Sequence, residues 1–230
     1  ILKADLITNV SHDIKTPLTS IINFVKLLKR ENIEDERIKG YIDVLDAKSQ
    51  RLKQLTDDLV EASKISSGNI SLQMERINFV ELIHQTMGEF GEKMEEKNLW
   101  MIPSMPEGPV CIEADSRRIW RVIENLFSNV YKYALEGTRV YLDLGILVDE
   151  EGKKAVFSMK NISAQPLNIK ADELTERFIR GDVSRSTEGS GLGLSIAKNL
   201  TELQHGQFDI YLDGDLFKVI LTFPDRKSVV

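Results

Sequence analysis

The sequence of 230 residues has little cysteine, no long apolar run and no excess of basic residues. Its single cysteine, Cys111, excludes an intramolecular disulfide and a cysteine-based zinc site, and it favours a reducing compartment. No apolar stretch approaches the ~18 residues that a membrane-spanning helix needs, and no signal-peptide pattern opens the chain. The 30 Lys and Arg residues are outnumbered by 36 Asp and Glu residues, which argues against a general nucleic-acid binder. These absences predict a soluble cytoplasmic protein.

Hydrophobic residues make up 42% of the chain and charged residues 29%, a balance that supports a packed core and excludes wholesale disorder. The length fits one large domain or two small ones. Because the chain opens at Ile1 without a methionine, we expect it to be part of a longer protein.

The first zone of the sequence, residues 1–66, carries apolar residues at helical spacing on both sides of a short polar break at residues 31–35. This pattern predicts a helical hairpin whose apolar stripes are too long for one partner to cover. Two such hairpins closing into a dimeric four-helix bundle would bury them, and the alternative is a hairpin packed on its own second domain. The stripes are Ile7, Val10, Ile14, Leu18, Ile21, Val25 and Leu28, then Ile38, Leu45, Leu52 and Leu59, joined by Tyr41, Leu55 and Ala62.

The second zone, residues 77–230, mixes helix and strand patterns and follows a predicted linker at residues 67–76. Amphipathic helices are predicted over residues 79–98 and 115–135, the latter with Asp115 as its N-cap. Alternating segments at 140–148, 155–161, 208–212 and 217–223 predict strands. The expected fold is therefore α+β, a helical hairpin followed by an α/β two-layer sandwich.

A first candidate for chemistry is the segment Ser-His-Asp-Ile-Lys-Thr-Pro-Leu at residues 11–18. His12 lies on a predicted helix beside Asp13, and Thr16 is four residues on, on the same helical face. Pro17 lacks the N–H that would bond to the carbonyl of Asp13, so a bend is expected there. A neutral imidazole is a good nucleophile near pH 7, whereas the alternative is an exposed helical histidine with an ordinary acidic neighbour.

A second candidate is one face of the helix predicted after Asp115. Asn125, Asn129 and Lys132 fall at positions i, i+4 and i+7, followed by Tyr133. Amide oxygens suit Mg²⁺ and an ammonium group suits phosphoryl oxygens, so this face is a good candidate for binding phosphate. The alternative is a solvated polar stripe.

A third candidate is the glycine-rich run at residues 188–197, in which Gly189, Gly191 and Gly193 lead into an apolar helix. Bare backbone N–H groups at a positive helix end suit phosphates, although such a loop is a weak signal when it occurs alone. The preceding basic stretch, residues 176–185, is predicted to form a mobile lid.

Taken together, these motifs resemble the catalytic core of a bacterial sensor histidine kinase. An H box (His-Asp-x-x-Thr-Pro-Leu), an N box (Asn-x-x-x-Asn-x-x-Lys-Tyr), an F box (Arg-Phe-x-Arg) and a G2 box (Gly-x-Gly-Leu-Gly-Leu) occur in this order. The resemblance implies a dimerisation and histidine-phosphotransfer domain at residues 1–66 and a Bergerat-type ATP-binding domain at residues 77–230. It also implies ATP and Mg²⁺ as cofactors and the receiver domain of a response regulator as a partner.

The resemblance implies a role for each matching residue. His12 is the expected phosphoacceptor, Asp13 is the acid that assists it, and Thr16 is the position that aligns water for dephosphorylation of the regulator. Asn129 is the expected Mg²⁺ ligand. The other residues expected around the nucleotide are Asn125, Lys132, Tyr133, Asn161, Arg180, Arg185, Gly189, Gly191 and Gly193.

One box departs from the family pattern. The G1 box, Asp-x-Gly-x-Gly, is replaced by Asn161-Ile162-Ser163-Ala164-Gln165. Asn161 still offers a side-chain oxygen to the adenine amino group, but the loss of the glycines predicts weaker ATP binding. A catalytically weak or phosphatase-only signalling scaffold is therefore the alternative function.

A third reading is an ATP hydrolase of the same superfamily. Such enzymes resemble this chain in the N box but carry a glutamate four residues before the Mg²⁺ asparagine, where this chain has Asn125. Because a carboxamide is no general base, hydrolysis is disfavoured. By resemblance, the longer protein is expected to be anchored in the cell membrane through segments absent from this chain, with this part in the cytoplasm and no nucleic-acid partner.

Overall fold

The computed structural model describes residues 2–68, 70–150, 152–167 and 192–224, and within the first helix it describes side chains from residue 13 onward. The chain divides into two compact units, with the boundary between them after Ile70. The first is a helical hairpin and the second is a mixed α/β unit, so the predicted α+β class is confirmed.

The hairpin consists of α1 (Leu2–Arg30) and α2 (Glu36–Ser66), which flank the break that the sequence predicts. Asp35 ends the break as the N-cap of α2, because its carboxylate accepts a hydrogen bond of 2.8 Å from the backbone N–H of Arg37. About halfway along α1, the Lys15 ammonium lies 2.6 Å from the carboxylate of Asp57.

A second set of ion pairs joins the helices beside the turn. The Lys29 ammonium lies 2.7 Å from Asp46 and 3.1 Å from Asp43. Hydrogen bonds to Asp46 and then Asp43 raise the pKa of Lys29, and the bond to Lys29 lowers the pKa of Asp46. Because residue 29 pairs with 43 and 46 and residue 15 pairs with 57, the two helices run antiparallel.

The buried side chains of the hairpin agree in part with the predicted stripe of α1, through Leu18 and Val25, and differ from the predicted stripe of α2. On α2 the buried residues are Ile42, Ser49, Thr56 and Ser63, at heptad steps, together with Asp58, and on the described part of α1 they are Leu18, Ile22 and Val25. The predicted stripe of α2, residues 38, 45, 52 and 59, is instead 43–50% exposed. The hairpin therefore carries an apolar stripe that its own two helices do not cover.

The second unit contains a five-stranded sheet in the order β2-β4-β5-β7-β6 and a separate pair, β1-β3. Among the described strands, β2 and β4 are paired in parallel and every other pair is antiparallel. The strands are β1 (Met74–Asn78), β2 (Trp100–Ser104), β3 (Cys111–Asp115), β4 (Arg139–Asp149), β5 (Gly152–Ile162), β6 (Gln207–Asp213) and β7 (Leu216–Pro224). The helices are α3 (Phe79–Glu96), α4 (Ser116–Tyr133) and α5 (Gly193–Leu203).

The core lies against one face of this sheet. Val140, Leu142 and Leu144 alternate along β4 as fully buried residues, while their neighbours point to the other face. The ring of Phe79, at the start of α3, lies 5.7 Å from that of Phe157 on β5. The predicted helices and the strands β4 to β7 are thus confirmed, whereas the five-residue strands β1, β2 and β3 were not predicted.

Asp115 holds the start of α4 in place. Its carboxylate accepts hydrogen bonds from the backbone N–H groups of Arg117 and Arg118, each 3.1 Å, and of Gln73 at 2.9 Å. Burial acts to raise the pKa of Asp115, but these three donors outweigh it and the pKa is lowered. The backbone N–H of Asp115 donates to Oε1 of Gln204, which follows α5. The predicted N-cap is therefore confirmed, and it also ties α4 to the end of α5.

We predict that Gly206→Ala destabilises the second unit. A Cβ at this position would lie 2.6 Å from Cε1 of Phe223 and 2.8 Å from Cγ2 of Thr201, both in packed surroundings. Overpacking of this kind costs about 1–3 kcal/mol, measurable as a lower free energy of unfolding in a urea titration.

The matched control is Gly88→Ala, on the exposed side of α3. No atom lies within 4 Å of its added Cβ, and alanine favours a helix over glycine by up to about 1 kcal/mol. Equal unfolding free energies for the two variants would contradict the prediction.

Candidate nucleotide site

One face of α4 carries the polar residues that the sequence singles out. Asn125 is buried, Asn129 is partly buried and Lys132 is exposed, so burial decreases along this face toward the end of the helix. Tyr133, the last residue of α4, is partly buried. The buried apolar residues of α4 are Ile119, Val122, Ile123, Leu126, Phe127 and Val130.

Asn125 packs against the first residue of α5. A Cβ built on Gly193 would lie 3.4 Å from Oδ1 of Asn125, so the third glycine of the G2 box lets the helix start close to the N box. The Nδ2 group of Asn125 is buried and has no hydrogen-bond partner among the described residues. An unsatisfied buried donor costs about 1–3 kcal/mol.

The neighbouring Glu124 is engaged elsewhere. Its carboxylate lies 2.7 Å from the guanidinium of Arg121, one helical turn earlier. The acidic residue nearest to the position of a hydrolytic base is thus held in an ion pair on its own helix.

Backbone hydrogen bonds join the end of α4 to the end of β5. The N–H of Leu135 donates to the carbonyl of Ile162, and the N–H of Ala164 donates to the carbonyl of Tyr133, each at 2.8 Å. An isolated bridge between Ala134 and Ser163 lies between these two bonds. The N box and the segment that replaces the G1 box are therefore brought together by main-chain contacts.

Asn161 lies near the end of β5 with only 3% of its surface exposed. Its Nδ2 donates a hydrogen bond of 3.2 Å to the carbonyl of Ile162. Its Oδ1 is buried and accepts no hydrogen bond from any residue that the structure describes. The carboxamide thus uses its donor locally and presents an acceptor, which is the polarity that an aspartate would offer.

The residues that replace the G1 glycines make their own hydrogen bonds. The N–H of Ser163 donates to the carbonyl of Asp215 at 2.8 Å, and its Oγ accepts from the N–H of Gln165 at 3.2 Å. Neither residue has a positive φ. This segment therefore holds its shape without the left-handed backbone that glycine permits.

The candidate residues of the hairpin lie on α1. Asp13 and Thr16 are exposed, and His12 lies within the helix, with its side chain outside the described residues. Four further candidates, Arg180, Arg185, Gly189 and Gly191, also lie outside the described residues.

Two kinds of feature are absent from the described part of the chain. It holds no cluster of three or more His, Cys, Asp or Glu side chains arranged for a metal ion. Among the same residues, no helix is both long enough and apolar enough to cross a membrane.

Two family models match the chain. Residues 2–68 match the His Kinase A (phospho-acceptor) domain. Residues 114–227 match the family described as histidine kinase-, DNA gyrase B- and HSP90-like ATPase. The first match covers the hairpin, and the second covers most of the α/β unit.

Curated relatives are similar over nearly the whole chain. The autoinducer 2 sensor kinase/phosphatase LuxQ of Vibrio parahaemolyticus is 28% identical over 99% of this chain, and the sensor histidine kinase WalK of Bacillus subtilis is 28% identical over 92%. The sensor protein VanSC of Enterococcus gallinarum is 33% identical over 86% of the chain. The chain spans 27%, 34% and 54% of the lengths of these relatives, respectively.

Solved structures share the fold. Full-length ShkA in complex with AMPPNP matches 96% of this chain and 45% of its own, with a TM-score of 0.78 and 20% identity. Histidine kinase ThkA in complex with the response regulator TrrA matches 96% of this chain and 61% of its own, with a TM-score of 0.65 and 23% identity. With both family models matched in the order of the motifs, the chain belongs to the sensor histidine kinases, a family of protein histidine kinases, and comprises their catalytic core.

Proposed function

We propose that this chain transfers the γ-phosphoryl group of ATP to His12 and then to an aspartate on the receiver domain of a response regulator. The observation that carries the proposal is that two of the three unsatisfied buried side-chain atoms among the described residues, the acceptor Asn161 Oδ1 and the donor Asn125 Nδ2, belong to the two segments joined at the end of α4; the third is Asn78 Oδ1. Buried polar groups without partners are rare because they cost free energy, and a bound ligand removes that cost.

The adenine end of the nucleotide would lie at Asn161. The 6-amino group of adenine is a donor, and Asn161 Oδ1 is a buried acceptor whose orientation is set by the Nδ2 bond to Ile162. A neutral carboxamide gives a weaker hydrogen bond than a carboxylate. We therefore retain the expectation that ATP binds less tightly than to a chain with the complete G1 box.

The phosphate end would lie along the exposed part of α4 and the start of α5. Asn129 is the proposed Mg²⁺ ligand, because an amide oxygen suits this ion, and Lys132 would contact phosphoryl oxygens. Gly193 begins α5, whose positive end favours a phosphate. Arg180, Arg185, Gly189 and Gly191 complete the proposed set by their positions in the F box region and the G2 box.

The acceptor is His12, by its position in the H box. A neutral ring nitrogen attacks the γ-phosphorus, a P–N bond forms, the β–γ P–O bond breaks and ADP leaves. Asp13 would stabilise the proton on the other ring nitrogen. Thr16 lies one turn further along α1 and is the proposed residue that aligns water when the regulator is dephosphorylated.

Two alternatives receive unequal support. Hydrolysis of ATP is disfavoured because Asn125 occupies the position of the base and Glu124 is paired with Arg121. A phosphatase-only scaffold rests on the replacement of the G1 glycines by Ser163 and Gln165. Against that alternative, Asn161 keeps the polarity needed to bind adenine.

The hairpin is the proposed dimerisation unit. The apolar stripe on α2 is 43–50% exposed in the single chain, and its heptad spacing is that of a helix packed in a bundle. The proposed setting is the cytoplasmic side of a membrane-anchored protein, with segments outside this chain providing the anchor and with no nucleic-acid partner.

Leu52→Lys is predicted to shift the chain from dimer to monomer. The substitution places an ammonium group in the middle of the apolar stripe, where a second hairpin would bury it without a partner. Light scattering at micromolar concentration should give the mass of a dimer for the parent chain and a lower mass for the variant.

The matched control for this prediction is Gln50→Lys, which adds the same charge to an exposed position of α2 outside the stripe. Its mass should stay that of the parent chain. A monomeric parent chain would refute the dimer outright.

His12→Ala should abolish incorporation of phosphate from labelled ATP while nucleotide binding persists, because the nucleophile and the nucleotide site belong to different units. The assay is acid-labile label on the protein, with ATP affinity measured by calorimetry.

Thr16→Ala is the control on the same helical face. It should keep autophosphorylation and lose dephosphorylation of the regulator, since its hydroxyl carries no proton that the kinase step needs. Label retained by His12→Ala would identify another acceptor.

Asn161→Leu is predicted to weaken ATP binding about tenfold and to remove the preference for ATP over ITP. ITP carries an oxygen in place of the 6-amino group, so only ATP can donate to Asn161 Oδ1 from position 6 of the base, and one such bond is worth about 1–1.5 kcal/mol.

Asn161→Asp is the matched variant, because it keeps an acceptor at the same place and should keep the preference. Calorimetric titration with both nucleotides checks the two variants. A leucine variant that still prefers ATP would show that another residue recognises the adenine amino group.

A further inference from the structure

Among the described residues, the last six residues of β4, 144–149, have one unpaired edge. β4 runs from Arg139 to Asp149, but β2 pairs only with its first five residues, Arg139–Asp143. In the described part of the chain, no strand pairs with residues 144–149 on that side. A free edge of this kind presents a row of backbone N–H and C=O groups to any extended segment that approaches it.

Three apolar side chains are exposed along this free edge. Ile146 and Leu147 are each 52% exposed, and Val148 is 67% exposed. Natural edge strands are usually protected by a lysine, a proline or a bulge, whereas residues 144–148 read Leu-Gly-Ile-Leu-Val. This edge therefore lacks the usual protection against pairing.

The exposed side chains lie on both faces of the sheet. Ile146 and Val148 point to the face of the buried Leu142 and Leu144, and Leu147 points to the opposite face, because side chains alternate along a strand. A helix or loop resting on one face would leave the other uncovered. A strand that continues the sheet covers both.

We propose that this strand is β4 of a second copy of the chain, paired antiparallel about a two-fold axis at Leu147. Residues directly opposite in such a pair have side chains on the same face. Leu147 then meets Leu147 of the second copy, and Ile146 meets Val148 on the other face, once on each side of the axis. Every exposed apolar side chain of the edge gains an apolar neighbour in this one register.

The position of the acidic residue Asp149 is compatible with this register. Asp149, the acidic residue at the end of β4, falls opposite Gly145 and keeps its ion pair of 2.8 Å with Lys154. Moving the axis to Val148 would set Leu147 against Asp149, and moving it to Ile146 would set Leu147 against Gly145. A shift by a single residue would place facing side chains on opposite faces. The register centred on Leu147 is thus the one in which all three exposed apolar side chains face apolar side chains of the second copy.

The contact is small. A single strand edge buries far less than the roughly 800 Å² per partner of a standard interface, so the pairing is weak between separate molecules. The proposed hairpin dimer would hold two copies of the second unit on short tethers, which raises their effective concentration. The pairing itself depends only on β4.

The test is disulfide cross-linking of the full chain in a Cys111→Ser background. Leu147→Cys places the two thiols directly opposite each other, with Cα atoms about 4.5–5.5 Å apart, within the range that a disulfide spans. Mild oxidation with diamide should link the two copies several-fold more than in the control Val148→Cys. In that control the two cysteines lie two residues out of register and beyond the ~7 Å limit. Mixing Ile146→Cys with Val148→Cys should restore the link.

Equal linking by Leu147→Cys and Val148→Cys would indicate random collision and overturn the inference, and so would the absence of any link. Leu147→Lys should abolish cross-linking between the Ile146→Cys and Val148→Cys chains when it is added to both. Circular dichroism confirms that each variant is folded. If the chain scatters as a dimer but Leu147→Cys does not link, the edge pairing fails and the proposed hairpin dimer stands.

Discussion

The main-chain hydrogen bonds between the end of α4 and the end of β5 determine where the candidate site lies. They connect Tyr133 and Leu135 to Ala164 and Ile162 without involving any side chain of the two motifs. Because backbone groups are present whatever the residue, this contact persists where serine and glutamine replace the glycines of the G1 box. At its other end, α4 is fixed by the cap at Asp115 and by Gln204. The helix that carries the N box is thus held at both ends, and its polar face is placed by the fold.

The sequence predicts the parts of this arrangement that depend on local periodicity. The polar face of α4, its N-cap and the alternation along β4 and β5 follow from spacings of 3.6 and 2 residues. The strands β1 and β3 were not predictable in this way, because each has five residues and their pairing joins segments far apart in the chain. Ala134 also takes an extended conformation to pair with Ser163, so α4 ends two residues earlier than its apolar pattern suggests.

Other features depend on contacts that no local pattern encodes. The polarity of the Asn161 carboxamide depends on its bond to the carbonyl of Ile162, and sequence alone gives only that an asparagine can donate and accept. In the hairpin, the sequence predicts an apolar heptad stripe on α2 but not that a second stripe, residues 42, 49, 56 and 63, is the one buried. Three of these four positions hold serine or threonine. Small hydroxyl residues have no strong preference for burial, so the apolar pattern does not identify these positions as core.

This polar inner stripe has a thermodynamic consequence for the hairpin. Within α2, which the structure describes throughout, Ile42 is the one large apolar side chain among the buried residues. In the described part of the hairpin, the large apolar side chains that are buried are thus Ile42 on α2 and Leu18, Ile22 and Val25 on α1, a small set for two long helices, so contacts outside the hairpin are expected to add to its hydrophobic stabilisation. Folding of such a unit is linked by mass action to whatever binds it. If the partner is a second hairpin, as proposed above, the melting temperature of the hairpin rises with protein concentration.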